Sequence, residues 1–313
     1  MSESIKKQSK PIKQHWVPRF YLKEFATLET RDKKESQVWI FSKNEGAPTK
    51  VNIKDIAAKR YLYSPKDENN ERCWKMEDKL ASLESLISQI WPNFANGFID
   101  LNNKAFRRGI SLFLATLHLR HPKRLNEYDK LQKQLIDIYD TLPKDKNGNP
   151  MIGSIETKKG VFEFDSSDWE RYSNPTEYDK QKFFVDTIKE SAIEIAEAFM
   201  KKRWSVIFSE SEQFITTDSP LIISNSIVGK TQNYGINTKG TEITFPVSPT
   251  RILILDDMFD QPHSQYYPLQ GNVAFAINLQ IWQGAHQFMI SHRNPDEVNY
   301  EMIKFVDNHV KNI

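Results

Sequence analysis

The chain has 313 residues, of which 39% are hydrophobic, 12% aromatic and 27% charged, and this globular composition excludes a disordered polypeptide. Its 43 Lys and Arg nearly balance its 41 Asp and Glu, so the formal net charge of +2 does not by itself indicate a polyanionic partner. The single cysteine, Cys73, excludes an intramolecular disulfide and a thiolate zinc cluster.

The first half of the chain is predicted to be mainly helical. Apolar residues spaced three and four apart predict an amphipathic helix over 75–91, which Pro92 should end or kink. A second helical region over 106–141 is apolar on nearly every side in its middle, as in a central buried helix, and Pro122 should kink or restart it. A short helix from Pro18 to Phe25 and strands over 37–42 and 51–56 complete this half.

The second half is predicted to be rich in strands. A helix over 178–202 is followed by short apolar runs, separated by turn residues, which predict antiparallel strands over 204–208, 214–217, 221–224, 242–247 and 251–255. A helix over 272–283, a strand over 286–291 and a final helix capped by Asn294 follow. The predicted fold class is α+β, with a helical N-terminal half packed on a mostly antiparallel sheet formed mainly by the C-terminal half.

The ends of the chain and its apolar segments predict its organisation and compartment. Residues 1–13 carry four lysines and one acid, and they are predicted to form a flexible basic tail. Residues 14–313 are predicted to form a single α+β domain with a weak boundary near 144–177. The N-terminus has no apolar signal-peptide core and no run of 18 apolar residues occurs, so we expect a cytoplasmic protein without membrane contact. In a reducing compartment Cys73, beside Trp74, is expected to be a small buried residue.

Two segments carry a resemblance to a known family. Residues 14–26 read QHWVPRFYLKEFA and residues 213–224 read QFITTDSPLIIS, and both resemble motifs of the uncharacterised family DUF4238, a domain of unknown function. Weaker matches follow in the same order at 56–64, 76–91, 117–122, 243–249 and 272–283. The chain departs from the expected Gln-x-x-Arg pattern by carrying His118 before Arg120. The resemblance implies a bacterial protein without an assigned activity and with a suspected role in phage defence or as a toxin.

His15 is the first candidate site residue. It lies in an aromatic-rich segment, and an imidazole that titrates near neutral pH can act as a general base or bind a metal. A structural role is the alternative, in which His15 caps the helix that begins near Pro18 or forms a hydrogen bond across the core.

Glu77, Glu84 and Arg120 form the second candidate group. The two glutamates are seven residues apart on one predicted helix and therefore share a face. Arg120 ends a helix that is otherwise apolar, so its guanidinium needs carboxylates or carbonyls if it is buried. These residues either form an ion-pair network between two helices, or Arg120 holds a phosphate or carboxylate while one glutamate acts as acid, base or metal ligand.

Asp218 is the third candidate, in the sequence Thr-Thr-Asp-Ser-Pro at the end of an apolar strand. Together with Glu242 on a neighbouring strand it can bind a divalent metal such as Mg²⁺ for phosphodiester cleavage, although Thr244 stands where nucleases often place a lysine. A short turn formed by polar residues explains the same sequence. His118 and His121 are close enough on a helix to share a zinc ion, but no third ligand is evident.

These residues support two hypotheses about function. The first is a hydrolase acting on nucleic acid or a nucleotide, with His15 and Asp218 as catalytic or metal-binding groups, Arg120 holding a phosphate and Glu77 or Glu84 orienting it. The second is a non-catalytic sensing or protein-interaction module, in which the same residues form an architectural polar network. The Gly-rich phosphate loops of nucleotide triphosphatases and dinucleotide oxidoreductases are absent, as is the Gly-x-Ser-x-Gly motif of α/β-hydrolases.

Overall fold

The structure is a computed structural model that describes residues 10–310 except 45, 68, 147–153, 158–159, 164–168, 170–172, 226 and 228–233. Seven helices occur in this part of the chain: α1 (Arg19–Glu24), α2 (Lys75–Asn96), α3 (Lys104–Leu119), α4 (Lys123–Thr141), α5 (Glu177–Lys201), α6 (Val273–Gly284) and α7 (Pro295–Val310). The strands are β1 (Lys13–His15), β2 (Gln37–Ser42), β3 (Thr49–Asn52), β4 (Ala58–Arg60), β5 (Ser154–Thr157), β6 (Gly160–Glu163), β7 (Arg203–Phe208), β8 (Thr216–Thr217), β9 (Ile222–Asn225), β10 (Thr241–Ser248), β11 (Arg251–Asp256), β12 (Gln265–Pro268) and β13 (Phe288–Ser291).

Two larger sheets organise the strands. The five-stranded sheet has the order β12-β7-β11-β10-β9, in which β12 runs parallel to β7 and the other pairs are antiparallel. The four-stranded sheet has the order β3-β2-β13-β8 and is antiparallel throughout. β1 and β4 form a short antiparallel ribbon, and so do β5 and β6.

The α+β class is confirmed, but the predicted division between the halves is wrong. The strands β2 and β3 come from the first 52 residues and pair with one another, and β2 also pairs with β13 near the C-terminus, so both halves of the chain supply the sheets. The pattern of alternating apolar residues marks a strand without identifying its partner, and distant strands pair only when the chain collapses.

Helices cover both faces of the five-stranded sheet. Successive residues of β11 alternate between two apolar clusters: Leu253 and Leu255 pack with α1, α2 and α3, whereas Ile252 and Ile254 pack with α6 and α7. This alternation is the two-residue period of a strand buried on both sides. The cluster on the α2 side contains Trp91, which makes edge-to-face contacts with Phe94 and Phe113.

Several local predictions are corrected. α2 continues through Pro92 to Asn96, so the proline does not end the helix. The strand predicted over 214–217 is only Thr216–Thr217, and it lies in the four-stranded sheet rather than beside β7. Cys73 is exposed rather than buried.

The predicted tail and boundary fall partly outside the described residues. Residues 1–9 are not described, whereas Lys13 begins β1 and the Lys10 ammonium forms an ion pair with Asp78. Much of the segment 144–177 is also outside the described ranges; the helices on either side of it, α4 and α5, contact one another. Among the described helices, none combines the length and the apolar sequence needed to cross a membrane.

Candidate functional site

A cavity of about 430 Å³ opens between the N-terminal segment and α2. Four of the five residues predicted from the sequence line it: His15, Glu77, Glu84 and Arg120. Asp218 does not. The lining also includes Pro11, Lys13, Arg19, Phe20, Tyr63, Leu80, Ala81, Ser85 and Ser88. Its volume lies within the range of small-molecule sites.

Local structure explains why these residues converge. His15 is the last residue of β1, and Pro18 is the N-cap of α1, so the chain turns from strand to helix directly beside the cavity. Glu77 and Glu84 lie two turns apart, about 10 Å along the α2 axis. Arg120 is the C-cap residue of α3, where the helix stops and the apolar sequence ends.

Arg120 is only 1% exposed, and several hydrogen bonds hold its side chain in place. Its Nη1 donates to Glu84 Oε1 at 2.6 Å and its Nε donates to the carbonyl oxygen of Trp16 at 2.8 Å. The phenol of Tyr63 donates to the carbonyl oxygen of Arg120 at 3.1 Å. Arg120 therefore pairs with a glutamate of α2, as in the ion-pair network that was one of the two interpretations of this group. Nη2 is buried and has no hydrogen-bond partner among the described residues.

Glu77 has an unusual acidity for a glutamate. Burial raises its pKa to about 7, the nearby Glu84 carboxylate raises it as well, and Arg120 opposes both effects. At neutral pH the protonated and ionised forms of Glu77 are therefore both populated. A carboxyl group in this state can donate or accept a proton in a reaction at neutral pH.

His15 is neutral at the same pH. Burial lowers its pKa to about 4, and the positive charges of Arg19 and Lys13 act in the same direction. Its Nε2 is buried without a hydrogen-bond partner among the described residues. An unprotonated imidazole beside two cations is suited to hydrogen bonding with a ligand that those cations attract.

A known protein family matches the part of the chain that forms the cavity. The model of a protein family of unknown function, DUF4238, matches residues 13–295. The chain belongs to this family. The match begins at β1 and includes every residue that lines the cavity except Pro11. Neither the curated proteins nor the solved structures contain a match.

Asp218, in the second segment that resembles DUF4238, lies outside the lining of the cavity. The Asp218 carboxylate is fully buried and accepts hydrogen bonds from the backbone N–H groups of His286 at 3.0 Å and Gln287 at 2.9 Å. Its carbonyl oxygen accepts a hydrogen bond from the Trp16 indole at 2.9 Å. Because the Trp16 carbonyl in turn accepts from Arg120, Asp218 supports the segment that holds the cavity arginine.

The predicted metal-binding pairs do not form a metal site in this DUF4238 protein. Asp218 follows β8 in the four-stranded sheet and Glu242 lies in β10 of the five-stranded sheet, so they are not on neighbouring strands. His118 Nε2 contacts Arg124 Nη2 at 2.6 Å, whereas His121 Nε2 lies 4.0 Å from Asp218. In the part of the chain that the structure describes, no cluster of three or more His, Cys, Asp or Glu side chains could hold a metal ion.

Several residues that line the cavity were not predicted as site residues from the sequence. Arg19 and Lys13 supply positive charge at its exposed side, and Tyr63 contacts the Arg120 carbonyl at its buried side. Arg19 lies within the first DUF4238 motif, where its position next to Pro18 could have identified it. Tyr63 and the serines of α2 gave no comparable signal, because a single tyrosine or serine occurs equally often in structural positions.

Proposed function

We propose that this cavity is the active site of a hydrolase whose substrate carries a phosphate group, as a nucleotide or the end of a nucleic-acid strand does. The observation that carries the proposal is the state of Arg120. Its Nη1 and Nε are fixed by Glu84 and Trp16, while its buried Nη2 keeps an unused donor on a residue that lines the cavity. Burying a donor without a partner is costly, and a phosphate oxygen is a good acceptor for a guanidinium.

The remaining residues of the cavity fit the same reaction. Arg19 and Lys13 attract an anionic substrate, and the neutral His15 can form a hydrogen bond with it. In the hydrolysis, a water oxygen forms the new bond to phosphorus and the bond to the leaving oxygen breaks. Glu77 in its protonated form gives its proton to that leaving oxygen. Such an activity on nucleotides would fit the role in phage defence or as a toxin that the family resemblance implies.

A non-catalytic sensing module is the second candidate function. The observation that favours it is the density of the contacts around Arg120, which join the residue after β1, α2, the residues after β4 and the end of α3 at one point. A ligand that engages Arg120 would then change how these elements pack, without being converted.

Turnover distinguishes the two functions. We expect the protein to hydrolyse nucleoside monophosphates or short single-stranded oligonucleotides, assayed with and without Mg²⁺. Glu77→Gln should lower kcat by about 100-fold or more, because general acid catalysis typically contributes that much. Asp78→Asn is the matched control, since this exposed neighbour on α2 does not line the cavity, and it should retain activity. Binding of these compounds without turnover would contradict the hydrolase and favour the sensing module.

A further inference from the structure

The charges around the cavity specify what kind of phosphate it suits. Three cationic side chains line it, those of Lys13, Arg19 and Arg120. Lys13 also forms an exposed ion pair with Asp55, 2.8 Å from its Nζ, and such surface pairs are weak, so its charge remains available to a ligand. The carboxylate of Glu84 opposes them, while Glu77 changes its charge near neutral pH. With Glu77 protonated, the lining residues carry two net positive charges, and with Glu77 ionised they carry one. The first state matches a doubly charged anion better than the second.

We infer that the cavity binds a doubly charged terminal phosphate, as on a nucleoside monophosphate, and that binding is accompanied by the uptake of a proton at Glu77 where that carboxyl group is ionised. This inference rests on the proposed function and specifies its substrate. An internal phosphodiester carries a single charge and therefore leaves one positive charge of the protonated cavity unmatched.

The arrangement of charges favours this uptake. Glu77, Glu84 and Arg120 line one cavity, and Glu84 already occupies Nη1 of the guanidinium. An anion that binds in this cavity adds negative charge beside Glu77. The added charge favours protonation of the carboxyl group that is already the weaker acid.

Other charged and titratable groups also lie near Glu77, and some of them affect its pKa. Asp78 on α2 acts in the same direction as Glu84, whereas Lys10 acts with Arg120 in the opposite direction. The Tyr63 phenol remains protonated because burial raises its pKa. The groups on the remaining elements that line the cavity are those of Lys13, His15 and Arg19.

Sulfate tests the coupling, because it stays doubly charged across the working pH range and takes up no proton itself. Isothermal titration of the full chain with sulfate, between pH 5.5 and 8.5 at constant ionic strength, should show affinity that falls as pH rises above 7. The fall should approach tenfold per pH unit, which is the limit for one linked proton. Titrations in two buffers with different protonation enthalpies should show an uptake approaching one proton.

Two variants isolate Glu77. Glu77→Gln should bind sulfate with an affinity independent of pH and without proton uptake. Glu190→Gln on α5 should keep the pH dependence of the wild type, since it removes an exposed carboxylate that does not line the cavity. Thermal melting curves show that both variants are folded. Sulfate binding that is independent of pH in the wild type would overturn the inference, and so would the absence of sulfate binding at every pH.

A pair of nucleotides tests the charge of the ligand. A nucleoside 5′-monophosphate should bind at least tenfold more tightly than a dinucleoside monophosphate, which has only an internal phosphodiester. Equal binding of the two would overturn the preference for a terminal phosphate. These outcomes are separable from those of the proposed function. Sulfate binding with proton uptake but no turnover of any substrate contradicts only the hydrolase, whereas turnover combined with pH-independent sulfate binding contradicts only this inference.

Discussion

The Asp218 carboxylate accepts hydrogen bonds from the backbone. It is fully buried, and two consecutive N–H groups, those of His286 and Gln287, donate to its two oxygens. Burial raises its pKa, while these hydrogen bonds oppose that effect. Glu77 differs because a second carboxylate and a cavity lie beside it. The two candidate acids, Asp218 and Glu77, therefore have different environments.

Replacing Asp218 tests its structural contribution. Asp218→Ala leaves two backbone donors without their acceptor, so we expect the free energy of unfolding to fall by about 1–3 kcal/mol. Urea denaturation measures this change. Asp32→Ala removes an exposed carboxylate and serves as the control, with little expected effect. An unchanged stability in Asp218→Ala, accompanied by lost activity, would instead assign Asp218 to catalysis.

At the scale of elements, α2 forms one wall of the cavity and a large part of the core. Its inner face buries Met76, Leu80, Ile87 and Trp91, while Glu77 and Glu84 lie at the edge of that face. The helix runs through Pro92, which has no N–H to donate to the carbonyl of Ser88. Burial of Trp91 and Phe94 on either side of the proline stabilises the helical conformation against this loss.

Removing the proline should therefore stabilise the helix. Pro92 is exposed, so Pro92→Ala restores a backbone donor without changing the core, and we expect a gain of about 1–3 kcal/mol in the free energy of unfolding. Thermal or urea denaturation measures the gain. Asn93→Ala, at the next exposed position, should change stability by only a few tenths of a kcal/mol. A loss of stability in Pro92→Ala would show that the proline is needed for the path of α2.

At the scale of the whole molecule, several histidines are buried in their neutral form. Burial lowers the pKa of His15 and His292 to about 4 and that of His118 and His121 to about 3. In the unfolded chain each of them titrates near 6.5. Between these values the unfolded chain binds more protons than the folded protein, so their contribution to stability is lost as pH falls.

The pH dependence of unfolding follows from this difference. We expect the midpoint of urea unfolding to fall steadily from pH 6.5 to pH 4, with His118→Gln flattening the dependence because it removes one buried imidazole. His263→Gln replaces an exposed imidazole and should leave the curve unchanged. Glu77, Glu24, Glu242 and Asp218 act in the opposite direction, since burial raises their pKa values and makes the folded protein bind more protons than the unfolded chain. The difference between the wild type and His118→Gln isolates the histidine contribution, and an identical pH dependence in both would contradict the burial of a neutral imidazole at His118.

Features that depend on neighbouring residues can be predicted from the amino-acid sequence. The three-and-four spacing of apolar residues located α2, α5 and α6 to within a few residues, except where α2 continues past Pro92. The cap at Asn294 is present, with its side chain accepting from the N–H of Asp296. Arg120 was recognised as needing a carboxylate because a charged residue at the end of an apolar helix has few other ways to be buried.

Contacts between distant segments appear only in the folded protein. There β2 pairs with β13, Asp218 lies outside the lining of the cavity, and Arg19 and Lys13 reach the same cavity as Glu77. Strand pairing and the burial of polar groups depend on contacts between residues far apart in the chain, and the local apolar pattern is compatible with many such pairings. The acidity of Glu77 has the same origin, because it depends on the burial, the second carboxylate and the arginine that surround it only in the folded protein.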